Sequence, residues 1–213
     1  NKIFKNAFCA LFIKLDLEYA AANLPETSTK KGYVNKIVAM GVLAKVHLTL
    51  HEYAKCASLT QEIMGKQYSL IQEYGNLFSS PENNNSAESM FALQWKAIAT
   101  EWGTQNTNQA YIVPNGTGIT GGGDGWGVYL PSISLQSGFE PKDIRKKNTI
   151  MTDGDYYSEL LKKQGGFTYK KILSSTGANF RKYIVGSAAE RNDVFFMRTS
   201  QNTIILRYSD ILL

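Results

Sequence analysis

The sequence predicts a mainly α protein in which helical pairs are joined by long irregular loops and short β-hairpins, and three observations carry that expectation. Ile37, Met40, Ala44, His47 and Leu48 recur at spacings of three and four, which places them on one stripe of a 3.6-residue period. After a break at Leu50-His51-Glu52, the positions Tyr53, Cys56, Ala57, Leu59, Ile63 and Met64 resume the stripe with the phase of a second, antiparallel helix. Phe4, Phe8, Leu11, Leu15, Tyr19 and Ala22 keep the same period through an opening helix, which Leu24-Pro25-Glu26 stops.

Ala44 and Cys56 are small, so the axes of the central pair can approach closely. Together with Leu43, His47 and Tyr53 they fall near the spacing of a tetratricopeptide unit, a helical pair of about 34 residues. Two positions depart from that pattern: His51 stands where glycine is usual, and no proline closes the second helix. Such a pair cannot bury its outer face alone and is stable only when stacked on neighbours. A larger helical array is therefore expected, with the fold incomplete at both ends of this chain.

The remaining elements follow in order. A polar link from Thr27 to Gly32 separates the opening helix from the pair, and Tyr68–Leu70 with Tyr74–Phe78 reads as an irregular return. Pro81–Ala87 is rich in asparagine and is expected to be an exposed turn. Ser89–Trp95 alternates Met90, Ala92 and Gln94 against Phe91, Leu93 and Trp95, as a short strand with its large residues on one face would. From Thr100 to Gly127 the residues Asn, Gln, Thr and Gly dominate, with Trp102, Tyr111 and Trp126 set among them. Loops of that length inside a compact domain either bind something or are disordered, and the aromatics argue against disorder. Pro131–Asp143 reads as a turn with a short helix. Phe167–Leu173 and Phe180–Val185 read as the two strands of a hairpin, and Val194–Met197 as a further strand. Ile204–Leu213 regains helical period. The organisation expected is a helical part over 1–78, a loop-rich ligand-binding part over 79–200 and the start of a further helix over 201–213, all within one domain.

With 213 residues the chain can bury one good core or two small ones. Its formal charge of +5 comes entirely from residues 140–213. There Lys142, Arg145, Lys146, Lys147, Lys162, Lys163, Lys170, Lys171, Arg181 and Lys182 are interspersed with Asp143, Asp153, Asp155 and Glu159. They form no helical stripe and no groove-reading motif, so the pattern is that of a solvated surface and no nucleic-acid partner is expected. No apolar run approaches the roughly 20 residues of a membrane span. Lys2 and Lys5 ahead of Ala7–Ile13 mimic a signal peptide, but Lys14 and Asp16 end the run and no small-residue cleavage site follows. Cys9 and Cys56 fall on apolar helical faces, where cysteine acts as a small hydrophobe.

Motifs that would carry chemistry fail on context. Gly116-Thr-Gly118-Ile-Thr-Gly121 has the literal spacing of a dinucleotide fingerprint, but Gly122-Gly123-Asp124-Gly125 cannot open the helix that would hold a pyrophosphate. No Gly-Lys-Ser/Thr follows, which excludes a P-loop. His47 and His51 are four apart, as two zinc ligands would be, yet Leu48 replaces the expected glutamate and no third ligand is evident. Asp153, Asp155 and Glu159 lack the alternating oxygens of a calcium loop. Acid–base chemistry would need carboxylates facing one another across a bond, which spacing alone does not show. No catalytic residue, metal or cofactor is expected.

Taken in order, several segments resemble the SusD/RagB family of nutrient-binding outer-membrane lipoproteins. They are Asp16-Leu17-Glu18-Tyr19-Ala20 with Leu24-Pro25-Glu26, Leu43-Ala44-Lys45-Val46-His47-Leu48 with Tyr53-Ala54-Lys55-Cys56-Ala57, and Glu88-Ser89-Met90-Phe91-Ala92-Leu93-Gln94-Trp95. Gly122–Gly127 around Trp126 follows, where the family more often runs glycines straight into the tryptophan; then Phe139-Glu140-Pro141-Lys142-Asp143-Ile144-Arg145, Lys182-Tyr183 and Arg207-Tyr208-Ser209-Asp210-Ile211-Leu212-Leu213. The resemblance implies a cell-surface protein that captures glycan fragments or peptides and sits as a lid on a SusC-like TonB-dependent outer-membrane transporter. It also implies an internal fragment, lacking the N-terminal lipid anchor. Two other classes fit parts of the sequence: a helical-repeat scaffold for a protein partner, acting near Lys45, and a carboxylate-based glycan hydrolase.

Sugars present flat C–H faces and hydroxyl edges, so a glycan site needs aromatic platforms ringed by amides. The Thr100–Gly127 loop has that mixture. Trp102 and Tyr111 are the expected platforms, with Gln105, Asn106 and Asn108 as hydrogen-bonding partners. Trp126 completes the candidate set, although its place between glycines also reads as a plug packing the loop onto the helices. Trp95 reads as core.

Overall fold

A computed structural model describes residues 2–97, 103–121 and 125–213, with side chains from residue 9 onward. The fold is mainly helical, with tetratricopeptide-like helices, irregular loops and paired short strands, and it divides into two compact units. One unit takes residues 1–71, 85–93 and 204–213; the other takes 72–84 and 94–203.

In the first unit, α1 (Lys2–Asn23) packs on α2 (Lys36–Thr49), which packs on α3 (Tyr53–Ile63). Asn35 caps α2: its Oδ1 accepts from the Val38 N–H at 3.0 Å, satisfying a donor the helix itself cannot pair. The turn between α2 and α3 passes through His51 at φ +60, the left-handed conformation for which glycine is usual. The His51 ring is held by the Tyr53 hydroxyl at 2.8 Å. Ile37, Met40, Ala44 and His47 are buried as the period predicts, but Leu48 is exposed. Of the expected inner face of α3, Ile63 is buried, Cys56 and Leu59 are half-buried, and Tyr53, Ala57 and the following Met64 lie in solvent. Cys9 is likewise exposed.

Strand β1 (Ser89–Leu93) faces the opposite way from the expectation. Met90 and Ala92 are buried and Leu93 is exposed, because β1 pairs with a strand that supplies its own apolar residue, Leu206, to the same core. That partner lies at 203–207, where the sequence predicts helix. Its β-branched Thr203, Ile204 and Ile205 suit a strand, and a short helix begins only at Tyr208, where the Arg207 N–H donates to Asp210 Oδ2 at 2.8 Å. Gly41 on α2 permits the close packing: a Cβ there would stand 2.8 Å from Leu206 Cδ2.

Glu52, at the α2–α3 turn, gathers charge. His47 Nδ1 contacts it and Lys14 Nζ of α1 reaches it at 3.0 Å. These partners, His47 first and Lys14 second, hold its carboxyl at about 2, well below the usual carboxylate range. A depressed folded-state value stabilises the fold above the unfolded value of 4.5 and ceases to do so as pH falls through about 2. Glu52→Gln should therefore lower the urea midpoint at pH 7, and the gap to the parent should close as pH approaches 2. A gap independent of pH would contradict the assignment.

The second unit has its own core around Ile112, Val113, Ile119, Met151, Tyr157, Leu160, Tyr169 and Ile184. Phe167–Leu173 and Phe180–Val185 do not pair with each other. Instead β3 (Tyr156–Tyr157) pairs antiparallel with β4 (Phe167–Thr168), and β2 (Ile150–Thr152) pairs with β5 (Ala178–Phe180) in the register Ile150↔Phe180. Residues 150–157 thus supply the partner strands, in a stretch whose acidic turn at Asp153-Gly154-Asp155 hides the strand pattern. The asparagine-rich turn at 81–87 is also less exposed than expected. Asn84 Nδ2 donates to the Ser200 carbonyl at 2.7 Å and its Oδ1 accepts from the Asn202 N–H at 2.8 Å. A second hairpin, β6 (Val194–Phe195) with β7 (Arg198–Thr199), fulfils the strand expected at 194–197; throughout, strands of this unit are two or three residues long.

Candidate functional site

The first part of the loop, from 103 to 112, is fixed in the second unit by its amides. Asn106 bridges to Thr199 through its backbone in both directions, at 2.8 and 3.0 Å. Its Nδ2 donates to the Gln201 carbonyl at 2.7 Å, and its Oδ1 accepts from the Asn108 N–H at 2.9 Å. Three residues on, Gln109 is buried and clamps a neighbouring segment: its Nε2 donates to the Gly186 carbonyl at 2.8 Å and its Oε1 accepts from the Gly186 N–H at 3.0 Å. These bonds replace the water that polar loop groups would otherwise need, which is why so polar a stretch can be buried. They also correct part of the sequence reading. Both ends of the Asn106 amide are engaged inside the protein and Gln105 is buried, so neither faces a ligand. Trp102 lies outside the described residues.

The helical turn Asn108–Ile112 then serves as a template. Its Ala110 carbonyl accepts the Trp126 N–H at 2.7 Å, and its Tyr111 carbonyl accepts the N–H groups of Val128 and Tyr129 at 2.9 and 3.1 Å. Gly125 makes this approach possible, since a Cβ there would fall 2.4 Å from Val113 Cβ and 2.7 Å from its carbonyl oxygen. Gly127 turns the chain at φ +57. The result brings three rings together. Tyr111 stacks on Tyr129 with centroids 4.9 Å apart and planes at 16°, and meets Trp126 edge-on at 5.0 Å and 71°, both favourable aromatic geometries. Tyr111 is half-buried beneath, while Trp126 and Tyr129 are 52% and 55% exposed. Trp126 is therefore no plug. Asn108, on the same short helix three residues before Tyr111, is half-buried, and its side-chain amide has no partner among the described residues. Tyr129 escaped the sequence reading because the polar loop was ended at Gly127; the signal lay just beyond, in Val128-Tyr129-Leu130.

Gly125→Ala should cost about 1–3 kcal/mol of stability, since the Val113 backbone cannot yield as a side chain can, and should displace Trp126 with it. Thermal unfolding together with near-ultraviolet circular dichroism checks both parts.

Several charged side chains of this unit pair with one another. Arg181 is buried and its guanidinium donates to Glu159 Oε1 at 2.7 Å. Burial pushes the Glu159 carboxyl up, but the hydrogen bond and charge of Arg181 outweigh it, and the net shift is downward. Arg191 holds Glu82 at 2.6 Å and Asp193 at 2.8 Å. Asp155 accepts from Thr152 and Asp153 from the Lys171 N–H, so neither turns toward Glu159 as calcium ligands would. Among the described residues no three His, Cys, Asp or Glu side chains gather as a metal site, and no helix is long and apolar enough to cross a membrane.

The chain that carries this aromatic shelf has relatives. The chain is 34% identical to a SusD-like protein of Bacteroides ovatus, over 95% of this chain and 38% of that protein. It matches a solved structure of a protein crystallised with a xylogluco-oligosaccharide at 32% identity and a TM-score of 0.83, over 95% of this chain and 42% of the other. The chain is SusD-like. A SusD-like protein P2 of Formosa agariphila is also similar, 26% identical over 93% of this chain and 40% of its own length. This SusD-like chain thus spans about two fifths of the length of the curated relatives it matches. No protein-family model matches it.

Proposed function

We propose that this chain carries the glycan-binding platform of a cell-surface protein, which captures an oligosaccharide without cleaving it and passes it to a SusC-like TonB-dependent outer-membrane transporter. The whole protein would be held at the outer membrane by an N-terminal lipid. The observation that carries the reading is the pair of exposed rings, Trp126 and Tyr129, braced by Tyr111 on a backbone template. Two adjacent rings offer flat apolar surface to the C–H faces of sugar residues, and Asn108 is the amide free to meet a hydroxyl. Carboxylates held by arginines suit a binding surface better than acid–base catalysis. That a protein 32% identical to this chain was crystallised with a xylogluco-oligosaccharide supports the choice of ligand class.

Calorimetric titration of the full chain with a xylogluco-oligosaccharide should give saturable binding, and prolonged incubation should release no smaller product. A panel of oligosaccharides that yields no binding at all would overturn the reading, and released product would move it to hydrolysis. The transporter step is checked separately, by co-purification of the membrane-anchored protein with its TonB-dependent partner.

A further inference from the structure

Trp126 has a second neighbour besides Tyr111. The β6–β7 hairpin turns through only two residues, Phe196 and Met197, since Phe195 pairs directly with Arg198. Phe196 sits at φ +54 and Met197 is outside the left-handed region. A first loop position at positive φ is ordinarily glycine or asparagine, because a Cβ there crowds the following carbonyl. Here a phenylalanine occupies it, 52% exposed and edge-on to Phe195 at 5.2 Å. Bulky residues persist in that conformation chiefly where a site requires them.

Between this tip and the shelf lies a cavity of about 460 Å³, lined among the described residues by Gly103, Thr107, Ala110, Trp126, Phe195, Phe196, Met197 and Arg198, whose guanidinium lies over the Phe195 ring at 5.6 Å. Its chemistry differs from that of the open shelf. An unsubstituted pyranose seated in it would leave most of its hydroxyls facing aromatic and thioether walls, with only Thr107 and Arg198 of the described lining to meet them, which costs free energy for each one unpaired. An O-acetyl group fits better, with an apolar methyl for the rings and one carbonyl oxygen that the Thr107 hydroxyl can meet. We propose that this cavity is a subsite for the O-acyl substituent of a glycan whose backbone lies on Trp126; the inference rests on the glycan-binding reading above. Phe196 is then a specificity residue, held at the hairpin tip because its ring closes the cavity.

The test compares a xylogluco-oligosaccharide with its partially O-acetylated form on the full chain. Burying one methyl group predicts about four- to ten-fold tighter binding of the acetylated form. Phe196→Gly suits the turn and should keep a melting temperature near that of the parent, because relief of the left-handed strain offsets the added freedom of the unfolded chain. It should bring the ratio of the two affinities to about one, as should Phe196→Asn, while Phe196→Tyr should retain the preference. Equal affinities in the parent, or a preference that survives Phe196→Gly, would overturn the subsite and leave glycan binding standing. Failure to bind either form would overturn both.

Discussion

Trp126→Ala is expected to weaken oligosaccharide binding by about 1–3 kcal/mol, roughly five-fold to more than a hundred-fold, with little change in the melting curve. The ring is half in solvent, and Tyr111, which it meets edge-on, keeps a stacked partner in Tyr129 when the indole is gone. Had Trp126 been the plug its flanking glycines suggest, the same substitution would lower stability instead, so one variant separates the two roles. Tyr129→Ala should show the same pattern with a smaller loss, because a phenol offers less flat surface than an indole. The two losses should not add, since both rings lean on Tyr111. Calorimetric titration beside thermal unfolding reads both quantities.

The largest effect on stability is expected at Asn179. This side chain, on the strand Ala178–Phe180, is fully buried and ties that strand to the helical turn that templates the shelf: its Oδ1 accepts from the Tyr169 hydroxyl at 2.8 Å and its Nδ2 donates to the Ile112 carbonyl at 3.2 Å. Asn179→Ala would leave the Ile112 carbonyl without this donor in the core and the Tyr169 hydroxyl with only Ser174 Oγ, at 3.3 Å. Two weakened or orphaned groups at 1–3 kcal/mol each, eased by that remaining contact, give a loss of about 2–4 kcal/mol. Tyr169→Phe should cost less, because it removes a donor and leaves the Asn179 amide its bond to Ile112. Chemical denaturation of the two variants checks the order. Equal losses would mean that packing, rather than the hydrogen bonds, sets the value.

How much of this was legible in the sequence follows the distance over which each feature is decided. The three long helices were readable because a 3.6-residue stripe and a cap such as Asn35 act within a few turns. The exposed face of α3 was not, since a stripe says only that a face is apolar. The hairpin expected between 167–173 and 180–185 failed because strands of two or three residues carry little pattern, and their partners lie at 150–157. Ile204–Leu213 was only half legible for a related reason: Ile205, Tyr208, Ile211 and Leu212 satisfy a helical period and Tyr208–Leu212 is helical, while pairing with β1 makes 203–207 a strand. At the site, composition pointed to the loop and to Tyr111 and Trp126, but amides that bury themselves look the same in sequence as amides that face a ligand. Asn106 and Asn108 differ only in where the fold puts them.

The most direct test of the shelf is a two-dimensional NMR titration of the full chain with a xylogluco-oligosaccharide, following the tryptophan indole N–H signals and the aromatic carbons of tyrosine. Trp126 and Tyr129 should shift progressively to saturation. Trp95, whose Nε1 is held by the Thr203 hydroxyl at 3.0 Å, should stay in place. Saturable binding that moves Trp95, or signals far from the shelf, while Trp126 and Tyr129 remain still would contradict the assignment.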